Sequence, residues 1–153
     1  MRIAIASDHG GSRLKSDTTR LLQELGHTHH DFGPHDFHDV DYPDYAVKVA
    51  RAVADGEFDR GILICGTGQG MAMSANKVKG VRAALCHDTF SARISREHND
   101  ANVLCLGERV VGSGLAADIV KTWLEAESSD EERHHRRVGK IIALDERRAL
   151  EGF

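Results

Sequence analysis

Cysteine, proline and aromatic residues are scarce in this chain of 153 residues, which has 3 Cys, 2 Pro and 1 Trp, with aromatics at 5%. Cys65, Cys86 and Cys105 are odd in number, widely spaced, and set in or at the end of apolar strand-like runs. That pattern argues against a disulfide framework and fits reduced thiols in a cytoplasmic protein. Long apolar runs are missing as well. Residues 1–6 are too few for the apolar region of a secretory signal, and no stretch approaches membrane-spanning length, so a soluble protein with no membrane partner is expected. Basic charge is also short: 20 Lys and Arg against 24 Asp and Glu leave a formal charge of -4. This argues against nucleic acid as a partner, because neutralising phosphates needs a basic face. A local anion site stays open. Internal repeats and low-complexity linkers are absent, and 41% hydrophobic content in this length suits a single domain over residues 1–153.

What is present is an alternation of short apolar runs with longer stretches of helical period, the signature of repeated βα units. Five strands are predicted at Arg2–Ala6, Thr28–Phe32, Gly61–Cys65, Arg82–Cys86 and Val103–Leu106. Leu14, Leu21, Leu22 and Leu25 mark one helix face, with Gly26 as its stop. Pro43 opens a second helix over Asp44–Ala54; others are expected at Gln69–Val78, Asp88–Glu97 and Gly114–Glu125. The fold class is therefore α/β, a three-layer Rossmann-like fold with a five-stranded parallel sheet. A C-terminal helical tail begins near residue 130, with acids before the bases Arg133 to Arg137, as a helix dipole favours. No strand follows it, so it is free to pack on a neighbouring subunit or on its own domain.

In an open parallel sheet ligands sit beyond the carboxyl ends of the strands. The turns there hold Ser7-Asp8-His9-Gly10-Gly11, Cys65-Gly66-Thr67-Gly68-Gln69-Gly70, His87-Asp88 and Gly107-Glu108-Arg109. Asp8 read alone is a helix cap. The glycine turn says more: Gly66, Gly68 and Gly70 leave backbone N–H groups unobstructed at the start of a helix, which makes an anion cradle. Cys65 stands at its lip, where a helix N-terminus favours a thiolate, whereas Cys86 and Cys105 read as inert packing. The spacing is not a Walker motif, since no Gly-Lys-Ser/Thr is present, and it is G-x-G-x-G rather than the dinucleotide G-x-G-x-x-G. His27, His29, His30, Asp31, His35, Asp36, His38, Asp39 and Asp41 crowd one region, but at no metal-ligand spacing with a known mechanism; a solvated loop is the simpler reading. No metal and no cofactor are expected.

Several ordered motifs, Ser7-Asp8-His9-Gly10-Gly11, Asp41-Tyr42-Pro43-Asp44-Tyr45-Ala46, Gly61 to Gly68, Ser74-Ala75-Asn76-Lys77, Arg82 to Cys86, Ser95 to Asn102 and Arg133-His134, resemble the ribose-5-phosphate isomerase B family, which also includes galactose-6-phosphate isomerase subunits. The resemblance runs from residue 1 to about residue 142. It implies an aldose–ketose isomerase acting on a phosphorylated sugar, with Cys65 as general base between C1 and C2 and the Gly66–Gly70 amides, including Gly68, stabilising the enediolate. It assigns ring opening to Thr67 and His98, with Asp8 and Tyr42 lining that end of the pocket. His9, Arg133 and Arg137 match phosphate ligands, Arg109 lies where some members place another phosphate-side arginine, and Asn99 matches a hydroxyl contact. It further implies a homodimer or tetramer in which His98 and Asn99 come from the opposite chain. One branch of the family uses a glutamate after the glycine loop instead of the cysteine; here Cys65 is present and Met71 occupies the later place. Gly10 replaces a more usual alanine, and the histidine-rich Gly33–Val40 loop ahead of Tyr42 bears on which sugar fits.

The chemistry of the turn agrees independently. Abstracting a proton alpha to a carbonyl needs a base and a fixed positive field for the oxyanion, and one motif offers both. Ribose 5-phosphate and ribulose 5-phosphate are the expected pair. The alternatives are allose 6-phosphate, galactose 6-phosphate or a tetrose phosphate, and, from another class, a nonenzymatic phosphosugar- or nucleotide-binding module.

Overall fold

Ile3, Ile5, Ile62, Ile64, Leu104 and Leu106 belong to one buried cluster, while Ala4, Ala6, Leu63, Cys65, Val103 and Cys105 belong to a second. This two-residue alternation, apolar in both phases, is what strands covered on both faces require. The computed structural model, which describes residues 1–36 and 38–150, forms these runs into a five-stranded all-parallel sheet of order β2-β1-β3-β5-β4. The strands are β1 Arg2–Ser7, β2 Thr28–Asp31, β3 Arg60–Cys65, β4 Ala83–Leu85 and β5 Val103–Gly107. On the first face lie α1 (Ser12–Glu24), α4 (Thr89–Asn99) and α5 (Ser113–Glu125), contributing Leu14, Leu22, Ala92, Ile119 and Trp123 to the core. On the second lie α2 (Tyr42–Ala54) and α3 (Gln69–Ala75), contributing Ala46, Val49, Val53, Met71 and Ala75. The chain leaves β1 toward β2 on one side and returns to β3 on the other, which opens a crevice beyond the carboxyl ends of β1 and β3.

Several expected boundaries move for identifiable reasons. β4 covers only Ala83–Leu85 rather than Arg82–Cys86; the Arg82 N–H donates to the Asn102 side-chain Oδ1 at 2.8 Å instead of to a strand neighbour. Strand β2 ends at Asp31, and Phe32 instead packs edge-on against His30 and Phe58. Helix α3 stops at Ala75 and not Val78, since the Asn76 amide turns aside to pair with both the N–H and the C=O of Ala83. Asp88 stands outside α4 as its N-cap, accepting from the Ser91 N–H at 2.7 Å, and the helix runs on to Asn99 instead of Glu97. α2 begins at Tyr42, one residue before Pro43.

Two buried cations join the layers. Arg60 donates to the carbonyls of Trp123 and Leu124, both at 2.8 Å, and so satisfies the C-terminal end of α5. Burial, then the neighbouring Arg96, lowers its pKa to about 10. Lys15 donates to Asp31 at 2.9 Å and to the Pro34 carbonyl at 2.7 Å, anchoring the start of the histidine-rich loop to α1. The tail forms α6 (Glu132–Leu150), which rests on α4 and leaves Ile141, Ile142 and Leu144 about half exposed.

Candidate active site

The crevice between β1 and β3 carries a cavity of about 380 Å³ lined by Asp8, Tyr42, Cys65, Gly66, Thr67, Gln69, Gly70, Met73 and Arg109. One wall is the glycine turn that follows β3. Cys65 ends β3, and the Gly68 N–H donates to its Sγ at 3.0 Å, which folds the loop back over the sulfur. Gly68 has φ +78, and a Cβ there would stand 2.5 Å from Leu85 Cδ1, so only glycine closes this turn. Gly70 must also be small, because a Cβ would meet the Tyr42 ring at 2.6 Å. Tyr42, from the start of α2, thus lies flush against the loop. Beyond Gln69, the first-turn N–H groups of α3 have no acceptor within the helix and are available to an anion. The Thr67 hydroxyl accepts from the Gln69 N–H at 3.4 Å.

The loop after β5 braces the cradle from below: Glu108 N–H donates to the Cys65 carbonyl at 2.9 Å and Arg109 N–H to that of Gly66 at 3.0 Å. The Arg109 guanidinium lies against Gly66, with Nε 3.3 Å from where a Cβ would stand. Asp8 turns out not to cap a helix. It precedes the 3-10 turn His9–Gly11, makes no side-chain cap, and keeps Oδ1 buried with no hydrogen-bond partner. Burial raises its pKa above 3.8 against the opposing pull of His9 and Arg109. His9 stands beside the histidine-rich loop, with Nε2 3.7 Å from Asp39 Oδ1. Cys86 and Cys105 are buried, and burial raises both thiols, as inert packing implies.

The remaining expected residues lie elsewhere on the chain. His98 shares a cavity of about 230 Å³ with His134 and His135, while Asn99 lines another, of about 390 Å³, with Ile141 and Leu144. Arg133 is paired with Glu131 at 2.7 Å, and Arg137 is exposed further along α6. One chain therefore brings together Asp8, Tyr42, Cys65, Gly66, Thr67, Gly70 and Arg109, and places His98, Asn99, Arg133 and Arg137 in a second group at the α4–α6 end. Sequence reasoning passed over Gln69 and Met73, which line the cradle cavity; their proximity to the glycines was the available signal. Met71, where another branch of the resembled family has its base, is fully buried among apolar residues. Among the described residues, no group of three or more His, Cys, Asp or Glu is arranged to hold a metal ion.

Comparison with known proteins agrees with this fold. The Ribose/Galactose Isomerase family profile matches residues 3–141. The chain belongs to that family. It is 48% identical to ribose-5-phosphate isomerase B of Escherichia coli (strain K12) over 147 residues, spanning 96% of this chain and 98% of the relative. It is 47% identical to D-erythrulose-4-phosphate isomerase of Pectobacterium atrosepticum over 129 residues, 83% of this chain and 84% of that one. The solved structure of Clostridium thermocellum ribose-5-phosphate isomerase B superposes with a TM-score of 0.94 at 56% identity, covering 96% of this chain and 99% of that one. The superposition shows that this chain shares its fold with that isomerase.

Proposed function

We propose that this chain is an aldose–ketose isomerase that interconverts ribose 5-phosphate and ribulose 5-phosphate through an enediolate. The observation that carries the reading is the placement of Cys65 Sγ, held at 3.0 Å by the Gly68 amide at the edge of a cavity walled by backbone N–H groups, Asp8 and Arg109. In the open-chain aldose, Cys65 takes the proton from C2 and returns it to C1, while the O2 hydroxyl proton passes to O1 and the carbonyl moves from C1 to C2. The Gly66, Gly68 and Gly70 segment and the first turn of α3 hold the developing oxyanion. A preceding step opens the furanose, with Thr67 and His98 moving protons at the ring and anomeric oxygens and Asp8 and Tyr42 lining that end. His9, Arg133 and Arg137 take the phosphate, Arg109 supports them, and Asn99 contacts a hydroxyl. Arginine forks suit a phosphate, and its binding orients the distant reacting carbons.

The division of these residues into two groups supports a shared site, in which a second subunit brings His98, Asn99 and the α6 arginines to the cradle. Met73, at the cradle, and Phe90, at the start of α4, are 66% and 65% exposed, apolar surface that favours burial against a second subunit. The reading is thus a cytoplasmic homodimer or a tetramer of such dimers. A second substrate class, a tetrose phosphate, is favoured by the similarity to the Pectobacterium relative.

Proton spectra of ribose 5-phosphate in heavy water test the reaction. Loss of the C2 proton signal with conversion to ribulose 5-phosphate, unchanged by a chelator, is the expected result. Ligand-induced stabilisation without exchange at C2 would mean a binding module and reject the reaction. Comparing kcat/KM for four-, five- and six-carbon phosphates then selects the sugar.

A further inference from the structure

Two imidazole rings meet where α6 rests on α4. His98, in the last turn of α4, and His134, in the first turn of α6, stack with centroids 4.0 Å apart and planes inclined by 15°. His134 is 3% exposed, yet neither Nδ1 nor Nε2 has a hydrogen-bond partner. The Glu131 carboxylate stops 3.9 Å from Nε2, beyond bonding distance. Burial first, then His98 and Arg133, hold its pKa below 6.5 against the opposing charge of Glu131, so the ring is uncharged at neutral pH.

A buried imidazole with two stranded nitrogens is a costly way to fill space, and an aliphatic side chain would fill it without that cost. What the imidazole supplies is a flat face for a second ring. Among the described residues no hydrogen bond fixes the plane of His98, which is only partly buried, so the stack is the contact that defines its orientation. We propose that His134 is a positioning residue whose buried ring sets the plane of His98 for opening the sugar ring. This rests on the role assigned to His98 above. In that step the anomeric O1 loses its proton, the bond between C1 and the ring O4 breaks, and O4 gains a proton as C1 becomes a carbonyl. A donor that must meet O4 in one direction gains from a fixed plane.

The two substrates separate ring opening from isomerisation. Ribulose 5-phosphate carries its phosphate on O5 and cannot close a furanose, so exchange of its C1 proton with solvent through the enediolate needs no ring opening. Ribose 5-phosphate enters largely as the furanose. His134→Ala is expected to lower kcat/KM for ribose 5-phosphate roughly tenfold while leaving C1 exchange of ribulose 5-phosphate within about twofold. His134→Phe, which keeps a flat ring and no nitrogens, is expected to restore turnover of ribose 5-phosphate to within about threefold of the parent. Thermal melting and the size of the particle in solution are measured beside each variant. Equal losses on both substrates, no loss on either, or a Phe variant as slow as the Ala variant would overturn the proposal. His98→Asn is the control: if it does not slow ribose 5-phosphate selectively, the role of His98 fails, and that outcome is distinct from failure of His134 alone.

Discussion

The glycine loop after β3 and the α4–α6 pair each hold part of the same candidate machinery, but they are built from different materials. The loop is main chain, closed by Gly68 at φ +78, tied to Cys65 at 3.0 Å, and held from below by the amides of Glu108 and Arg109. The α4–α6 end is side chain: a histidine stack, an Arg133–Glu131 pair at 2.7 Å, and long arginines on a helix whose apolar face is half exposed. Main-chain donors cannot swing away, so the part that must stabilise a developing charge is preorganised. Side chains on a helix adjust, so the part proposed to grip the sugar and its phosphate has more room to vary.

The largest test of this contrast is Cys65→Ala, which removes the base proposed for the loop. A loss of about 10³-fold in kcat is expected with the melting temperature nearly unchanged, since general-base catalysis contributes on that scale. Retention of full activity would place the base elsewhere. Gly68→Ala comes next. Its Cβ would meet Leu106 C at 2.9 Å as well as the Leu85 side chain, so the loop must distort. Stability should fall by about 1–3 kcal/mol from overpacking and left-handed strain, read by thermal or denaturant unfolding. Arg133→Ala, on the adaptable side, should raise KM for the phosphosugar about tenfold with a smaller change in kcat, as loss of one charge-assisted contact implies. If kcat falls as far as kcat/KM, the α6 end acts in the transition state and the contrast fails.

The smallest effect concerns Asp8. Its pKa is raised in the folded chain by burial, so between 3.8 and that higher value the folded state holds more protons than the unfolded one. Stability due to this group is therefore full below pH 3.8 and is lost as pH rises through the folded pKa. Asp8→Asn removes that loss and should melt slightly higher than the parent at neutral pH, with the gap closing toward pH 4. A gap that widens on acidification would contradict the burial argument. The measurement is a melting series against pH.

Much of this was legible before any coordinates. Short continuous apolar runs at Ile3 to Ala6 and Ile62 to Cys65 mark strands, and three glycines after one of them mark an anion cradle, because both signals are local. On residue type alone Asp8 reads as a cap; the competing fact, an Oδ1 buried with no hydrogen-bond partner, depends on tertiary packing. The roles of Lys15 and Arg60 were equally hidden, since nothing near them in sequence shows that Pro34, Trp123 and Leu124 would present carbonyls to them. The β4 and α3 ends shifted because Arg82 and Asn76 found tertiary partners that propensity cannot foresee. The His98–His134 stack joins residues 36 positions apart, and only the packing of α6 on α4 reveals it.

The sheet order carries a consequence for how the chain comes into being. β5 lies between β3 and β4, although it is made after both. As the polypeptide leaves the ribosome, β3 therefore presents an open edge and β4 has no strand to join until residues 103–107 have emerged. The same late segment brings the Glu108 and Arg109 amides that hold up Cys65 and Gly66. A nascent chain arrested near residue 100 would carry every glycine of the cradle and still lack its floor. The loop that reads as the most local feature of the sequence is among the last to be finished in the molecule.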